Sequence, residues 1–584
     1  MSSRIPRRFN LHIQSFIFLI QGQGPKGISW WNRRQAAILA KCPWTIASLS
    51  RTQQSRLTST TNPAIQPDHH YLFSYTSGRW LWNEPQRLLE RYTPFNVPEL
   101  QAIAAASINA KHCTSITKIG EGSSHKAFRL VMDDGRAVVA RIPMGVSGTR
   151  FYGTASEVAT MEFVRVVLGI PVPRVYAWDA CENPVGVEYV IMEEVRGRQL
   201  AIEWDGMKPD GKLSIMTQMV DVEAKLASLR FTHYGNIYFR DAVQDAVPAE
   251  IVGDVSDEIK KMVYERFSIG PVANREFWNK QRSTMDIDRG PWTNPLDYLL
   301  SIARKEIAWI KQYATPKQPD DPSIICPAQN DPSAHINLLE KYIQVAPSLL
   351  DVENKDLTRP TLWHPNAHSP NIFVEGDNIT GLIDWQGAWV GPLFLEVRPW
   401  KVADHNGEVR FERPDDFDQL NEEKQAEIKT QIAKSTLCRL YLMTTQAKTP
   451  DLADAFVMDH GKTRRYPVLF AGDSWDGDIL MFRESLIKIQ RYWYELGVDG
   501  PCPIHFSEEE IENHLKEGDG FNEIQDLFQA LEKVVQRDGW TFPDTYDTAV
   551  ELFEEFKRFG YEEADKENDR DEFKRILRWI ELGR

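Results

Sequence analysis

The first 67 residues contain no acidic side chain. Nine of them are Lys or Arg, and hydroxyl residues crowd the stretch SLSRTQQSRLTSTTN (48–62). Mitochondrial import favours a positive, Arg- and Ser-rich leader of this kind, so residues 1–60 are expected to form a mitochondrial transit or disordered leader outside the fold. Other shortages exclude whole classes of protein. The six cysteines (42, 113, 181, 326, 438 and 502) lie far apart with no CxxC pair. This spacing argues against zinc and against a disulfide framework, and for a reducing compartment. No apolar run reaches the roughly 18 residues that cross a bilayer, so no transmembrane segment is expected. A secretory signal fits poorly as well, because His12 and Gln14 interrupt LHIQSFIFLI (11–20). From Asp68 onward 83 acidic side chains face 59 basic ones, a formal charge of −24. General nucleic-acid binding runs on phosphate neutralisation, so no nucleic-acid partner is expected.

An N-terminal extension (61–114) precedes the first clear pattern of strands. SITKIGEGSSHKAFRLVMDDGRAVVARIP (115–143) reads as three strands, the first two joined by GEGSS and the next by the hairpin signal Asp134-Gly135. ASEVATMEFVRVVLG (155–169) carries Val158, Met161, Val164, Val167 and Leu168 at helical spacing, with Gly169 as a stop. Two further strands are expected over 173–179 and 187–195. The order β-β-β-α-β-β is that of the amino-terminal lobe of a kinase-type fold. Beyond it helices are expected over 211–229, 296–313, 337–352, 420–447, 476–497, 508–516, 522–537 and 546–581. The expected class is α+β: a bilobal, protein-kinase-like fold with a small five-stranded lobe (115–196) and a large, mostly helical lobe with helical extensions (197–584).

Several short patterns point to phosphate chemistry, each weak by itself. Gly120 and Gly122, with Ser123, can bring backbone N–H groups close to phosphate oxygens, although the same letters fit a plain hairpin turn. AVVARIP (137–143) puts Arg141 where a phosphate-binding Lys is usual, and Glu157 follows sixteen residues later on the helix, placed to hold it. The alternative is an inconsequential surface ion pair. VIMEEV (190–195) reads as the hinge, with Met192 lining an adenine pocket and the backbone of Glu193 to Val195 reading the base edge. A half-buried strand accounts for that segment equally well. HPNAHSPNIFV (364–374) and LIDWQ (382–386) are the most specific. His364 orders the loop, Asn366 stands at the catalytic-base position, and Asn371 and Asp384 offer oxygens to Mg²⁺. A zinc pair from His364 and His368 fails, because Pro365 and Pro370 forbid the helix it needs.

In this order and spacing the chain resembles the aminoglycoside phosphotransferase family of small-molecule kinases. YTSGRWLWNE (75–84), TASEVATMEFVRVVLGIPVPRVYAW (154–178), NPVGVEYVIMEEVRG (183–197) and IDWQGAWVGPLF (383–394) resemble a fungal, mitochondrial branch of it. The resemblance implies ATP and Mg²⁺ in an interlobe cleft, with metal roles on Asn371 and Asp384 and phosphate and helix roles on Arg141 and Glu157. The family's catalytic Asp does not carry over, since its position holds Asn366. Two functions follow as expectations. One is a phosphotransferase acting on an unidentified small-molecule or protein hydroxyl. The other is a pseudokinase that binds nucleotide and serves a protein partner. The acidic C-terminal stretch (551–583) reads as a solvated helix face, with a partner surface as the alternative.

Overall fold

The computed structural model describes residues 69–318, 324, 326–350, 355–403, 408–477, 479–518, 534–536 and 538–567. The basic leader, most of the expected helix over 522–537 and the tail of the last helix lie outside the described residues.

Five antiparallel strands make the small lobe: β1 (Cys113–Glu121), β2 (His125–Met132), β3 (Ala137–Pro143), β4 (Val175–Asp179) and β5 (Tyr189–Glu193), ordered β1-β2-β3-β5-β4. Burial alternates strictly along β2 and β3, which sends Phe128, Leu130, Met132, Val138, Ala140 and Ile142 to one face. Helix α1 (Val97–Ser107), with Leu72 and Phe95, closes over that face. Burial of each such side chain favours the fold by roughly 1.5–3 kcal/mol. The extension is thus the outer half of the small lobe's core. Period 2 then leaves Arg141 on the opposite face, turned to the cleft. Lys126 lies on the covered face, fully buried, and donates to the carbonyls of Phe73 and Arg91.

Helix α2 (Tyr152–Val166) begins three residues before the expected start and is buried nearly all round. It is wedged between sheet and large lobe, with the Phe163 ring 5.6 Å from Phe231 and 5.4 Å from Phe267. The chain leaves β5 through Gly197 at φ +87°, where a Cβ would lie 2.2 Å from the Val374 carbonyl oxygen. No other residue fits that crossing.

The large lobe is built on α3 (Pro209–Ser228), α4 (Pro295–Tyr313), α5 (Pro332–Leu349) and α6 (Glu422–Lys448). Asn294, Asp331 and Asn421 cap the last three through side-chain oxygens. Strands also appear there that the sequence reading left out. Asn236–Phe239 pairs with Phe267–Gly270, and β6 (Pro360–Trp363) pairs with β9 (Trp389–Pro392). Between these last two runs the hairpin β7 (Ile372–Glu375) and β8 (Asn378–Leu382), which NIFV and NITGLID lead one to expect and which ends just before Asp384.

Candidate active site in the interlobe cleft

Arg141, from β3, joins the two lobes at the catalytic loop. One arm of its guanidinium pairs with Glu157 on α2, and the other donates to Asp384 Oδ1 at 2.8 Å, 243 residues along the chain. Glu157 is 3% exposed, Arg141 13% and Asp384 30%. Burial works against the Arg141 charge, but the two carboxylates outweigh it and hold its pKa above the ordinary value. The expected Arg141–Glu157 pair is present. The third member, Asp384, was not anticipated for Arg141: a planar fork presents two arms to two partners, as a Lys ammonium does not.

The loop after β6 is ordered by His364. Its Nε2–H donates to the Ile383 carbonyl (3.2 Å), and its Nδ1 accepts the N–H of Asn366 (3.1 Å), which fixes the tautomer. The ring meets Trp385 edge-on at 4.4 Å, and burial pushes its pKa down to about 4. His364 is therefore a neutral brace. Asn366 has its backbone fully engaged, since its carbonyl accepts from the N–H of His368 and from Asn371 Nδ2. Its side chain is exposed to the cleft solvent. Asn371 also places Nδ2 3.4 Å from Asp384 Oδ2, which leaves its Oδ1 as an oxygen donor beside the Asp384 carboxylate. Asp384 sits at φ +66°, in the left-handed region that Asp tolerates better than most residues.

This donor set fits Mg²⁺. Both residues offer hard oxygens, and among the described residues no group of three His, Cys, Asp or Glu can hold a metal. Asn371 and Asp384 would hold such an ion through one side-chain oxygen each or more.

The glycine-rich loop reaches the same place. Gly120 stands at a register shift of β1, the Gly122 N–H donates to the His125 carbonyl, and Ser123 is exposed. Ser124 Oγ donates to Gln386 Oε1 at 3.3 Å, a lobe-to-lobe contact missed from sequence although Gln386 stands inside the LIDWQ motif. Glu121 faces away: Thr76, Ser77 and Lys118 hold its carboxylate, tying the extension to the loop. At the hinge Met192 is buried, Glu193 N–H donates to the Arg174 carbonyl, and Val195 packs on Gly381, where a Cβ would lie 2.5 Å from Val195 Cγ1.

A five-stranded antiparallel lobe, a helix carboxylate on a strand cation, and an Asn–Asp pair on a hairpin define a kinase-like phosphotransferase fold. The chain belongs to the phosphotransferase enzyme family, whose model matches residues 115–416. A subtelomeric hrmA-associated cluster protein of Aspergillus fumigatus is 33% identical over 482 residues, covering 75% of this chain and 92% of that protein. Altered inheritance of mitochondria protein 9, mitochondrial, of Yarrowia lipolytica is 27% identical over 488 residues, covering 78% and 82%. Among solved structures, a putative fructosamine-3-kinase from Thermobifida fusca aligns over 68% of this chain and 100% of that one, with 11% identity and a TM-score of 0.35.

Proposed function

We propose that this chain is a mitochondrial Mg–ATP-binding member of its family in which phosphoryl transfer is slowed by the amide at position 366. The observation that carries the reading is the meeting of Arg141, Glu157, Asp384 and Asn371 at one point of the cleft. Asn371 and Asp384 would hold the metal, which when bound neutralises phosphate charge. Arg141 would turn from Asp384 to the phosphates while keeping Glu157. Gly120, Gly122 and Ser123 would cover them, and Met192 and Val195 would flank the base. The basic leader and the printed name of the Yarrowia relative support a mitochondrial address.

Asn366 has the shape of the missing Asp and can orient a hydroxyl through its amide oxygen, but it takes no proton. General-base catalysis is typically worth about 10² to 10⁴ in rate. Phosphoryl transfer depends more on positioning and charge than on the base, so a slow reaction survives the change. The test has two parts. ATP with Mg²⁺ is expected to raise the Tm of the wild type and not of Asp384→Ala; equal Tm values with and without nucleotide would sink the cleft assignment. Asn366→Asp is expected to raise ATP turnover by about 10² or more, within the range given for a general base. Turnover unchanged by that substitution would leave nucleotide binding without transfer, the pseudokinase reading.

A further inference from the structure

Two stretches outside the family match at 115–416, residues 75–82 and 538–553, meet on the small lobe. Arg79–Trp80 pairs antiparallel with Trp540–Thr541, and the Leu81 N–H donates to the Gly539 carbonyl at 2.9 Å. The indole N–H of Trp80 donates to Asp538 (3.2 Å), 458 residues along the chain, and that of Trp540 donates to the Tyr75 hydroxyl (3.2 Å). The Trp82 ring lies 5.7 Å from Phe553, and the Arg79 guanidinium lies 3.5 Å over the Tyr546 ring. Glycines permit so close an approach. A Cβ on Gly78 would lie 2.0 Å from Trp540 Nε1, and one on Gly539, at φ +84°, would lie 2.6 Å from Trp82 Cε2. The aromatic residues of YTSGRWLWNE (75–84), which the cleft does not use, are engaged here.

The same stretch of the extension grips the glycine-rich loop. Tyr75, which receives the Trp540 indole, is followed directly by Thr76 and Ser77. Glu121 Oε2 accepts the Thr76 N–H at 2.7 Å and both hydroxyls at 3.0 Å, while Oε1 accepts Lys118 Nζ at 2.7 Å. The Glu121 side chain is 1% exposed, so one enclosed carboxylate anchors the backbone between Gly120 and Gly122. Two flanking glycines would otherwise leave that turn free, and a binding loop whose geometry is set beforehand loses less freedom when its ligand arrives. A continuous path of contacts therefore runs from the C-terminal segment through Tyr75–Ser77 to the loop.

We propose that residues 538–553 form a strap that, through Tyr75–Ser77 and the positioning residue Glu121, sets the glycine-rich loop for the phosphates of a nucleotide. The consequence for nucleotide rests on the cleft reading; the hold on the loop does not. Trp540→Ala cuts the path at the strap. Glu121→Ala cuts it at the loop and leaves Lys118 its bonds to the Tyr71 and Ser74 carbonyls and the Thr76 hydroxyl. Hydrogen exchange on the full chain is expected to be at least tenfold faster over residues 118–126 in both variants and unchanged in α4, because the opening is local. Calorimetry is expected to show Mg–ATP bound at least tenfold more weakly by both. Loop exchange unchanged in either variant would overturn the path, and exchange faster in α4 as well would mean general loosening and overturn it too. Faster loop exchange with undiminished Mg–ATP affinity would overturn the positioning role. A wild type that binds no Mg–ATP breaks the cleft reading alone, and loop exchange still decides the strap.

Discussion

Two arginines lie buried on carboxylates in opposite surroundings. In the large lobe Arg282 is itself wholly enclosed: Nε and Nη2 donate to Glu306 at 3.1 and 2.7 Å, Nη1 to Asn279, the guanidinium lies 4.1 Å over the Trp309 ring, and a second carboxylate, Asp473, stands farther off at 3.9 Å. The other Glu306 oxygen accepts the N–H of Trp475. In the cleft Arg141 has one enclosed partner, Glu157, and one that solvent reaches, Asp384. The first arrangement is complete without a ligand. The second spans a seam between lobes, where an incoming anion can take over one arm. The residue type is the same, and its enclosure decides whether the pair serves the fold or exchange.

The largest effect that separates the two is expected at Glu306. Glu306→Ala takes from Arg282 the carboxylate it hydrogen-bonds in a dry interior and leaves only the more distant Asp473, which is expected to cost about 3–5 kcal/mol. Glu157→Ala leaves Arg141 with Asp384 and with water nearby, so a smaller loss is expected, about 1.5–3 kcal/mol for a charged hydrogen bond. Urea unfolding of both variants checks the difference. Equal losses would remove the distinction between enclosed and exchangeable pairs.

Acid titration compares the same two regions by another route. His335 in the large lobe and His364 in the cleft are both pushed by burial to about 4. Each is neutral in the folded chain, while the unfolded chain protonates it near 6.5. The unfolded state therefore binds more protons between these values, and stability is lost as pH falls from about 6.5 to 4. The loss is about 3 kcal/mol per histidine at 1.36 kcal/mol per unit. His364→Asn is expected to make that slope shallower, read from Tm against pH, while His335, His125 and His368, all lowered by burial, keep part of it. A slope unchanged by the substitution would show that the loop opens and protonates His364 without unfolding the lobe.

The small lobe was legible because its strands alternate and its turns are local: Asp134-Gly135 and the period-2 run of β2 and β3 need no distant partner to be read. The pairing of Asn236–Phe239 with Phe267–Gly270 is set by contacts about thirty residues apart, and short apolar runs with no hairpin turn between them announce nothing. The site divides in the same way. His364, Asn366, Asn371 and Asp384 stand close together in the chain, so spacing exposes them. The second arm of Arg141 and the bond of Ser124 to Gln386 cross between the lobes, and no spacing along the chain marks such a pair.

The smallest predicted effect is the most specific to this chain. Arg141→Lys replaces a two-armed fork by one compact ammonium. Lys at this position is expected to keep Glu157, the more enclosed partner, and to release Asp384. Asp384 would then meet the metal without first giving up an ion pair, so Mg–ATP is expected to bind about tenfold tighter, near 1.4 kcal/mol. Stability is expected to change by less, because the lost contact is the partly exposed one. Calorimetric titration with Mg–ATP decides it. Weaker binding by the Lys variant would mean that both arms of Arg141 grip phosphate when nucleotide arrives, and that its bond to Asp384 does not compete with the metal.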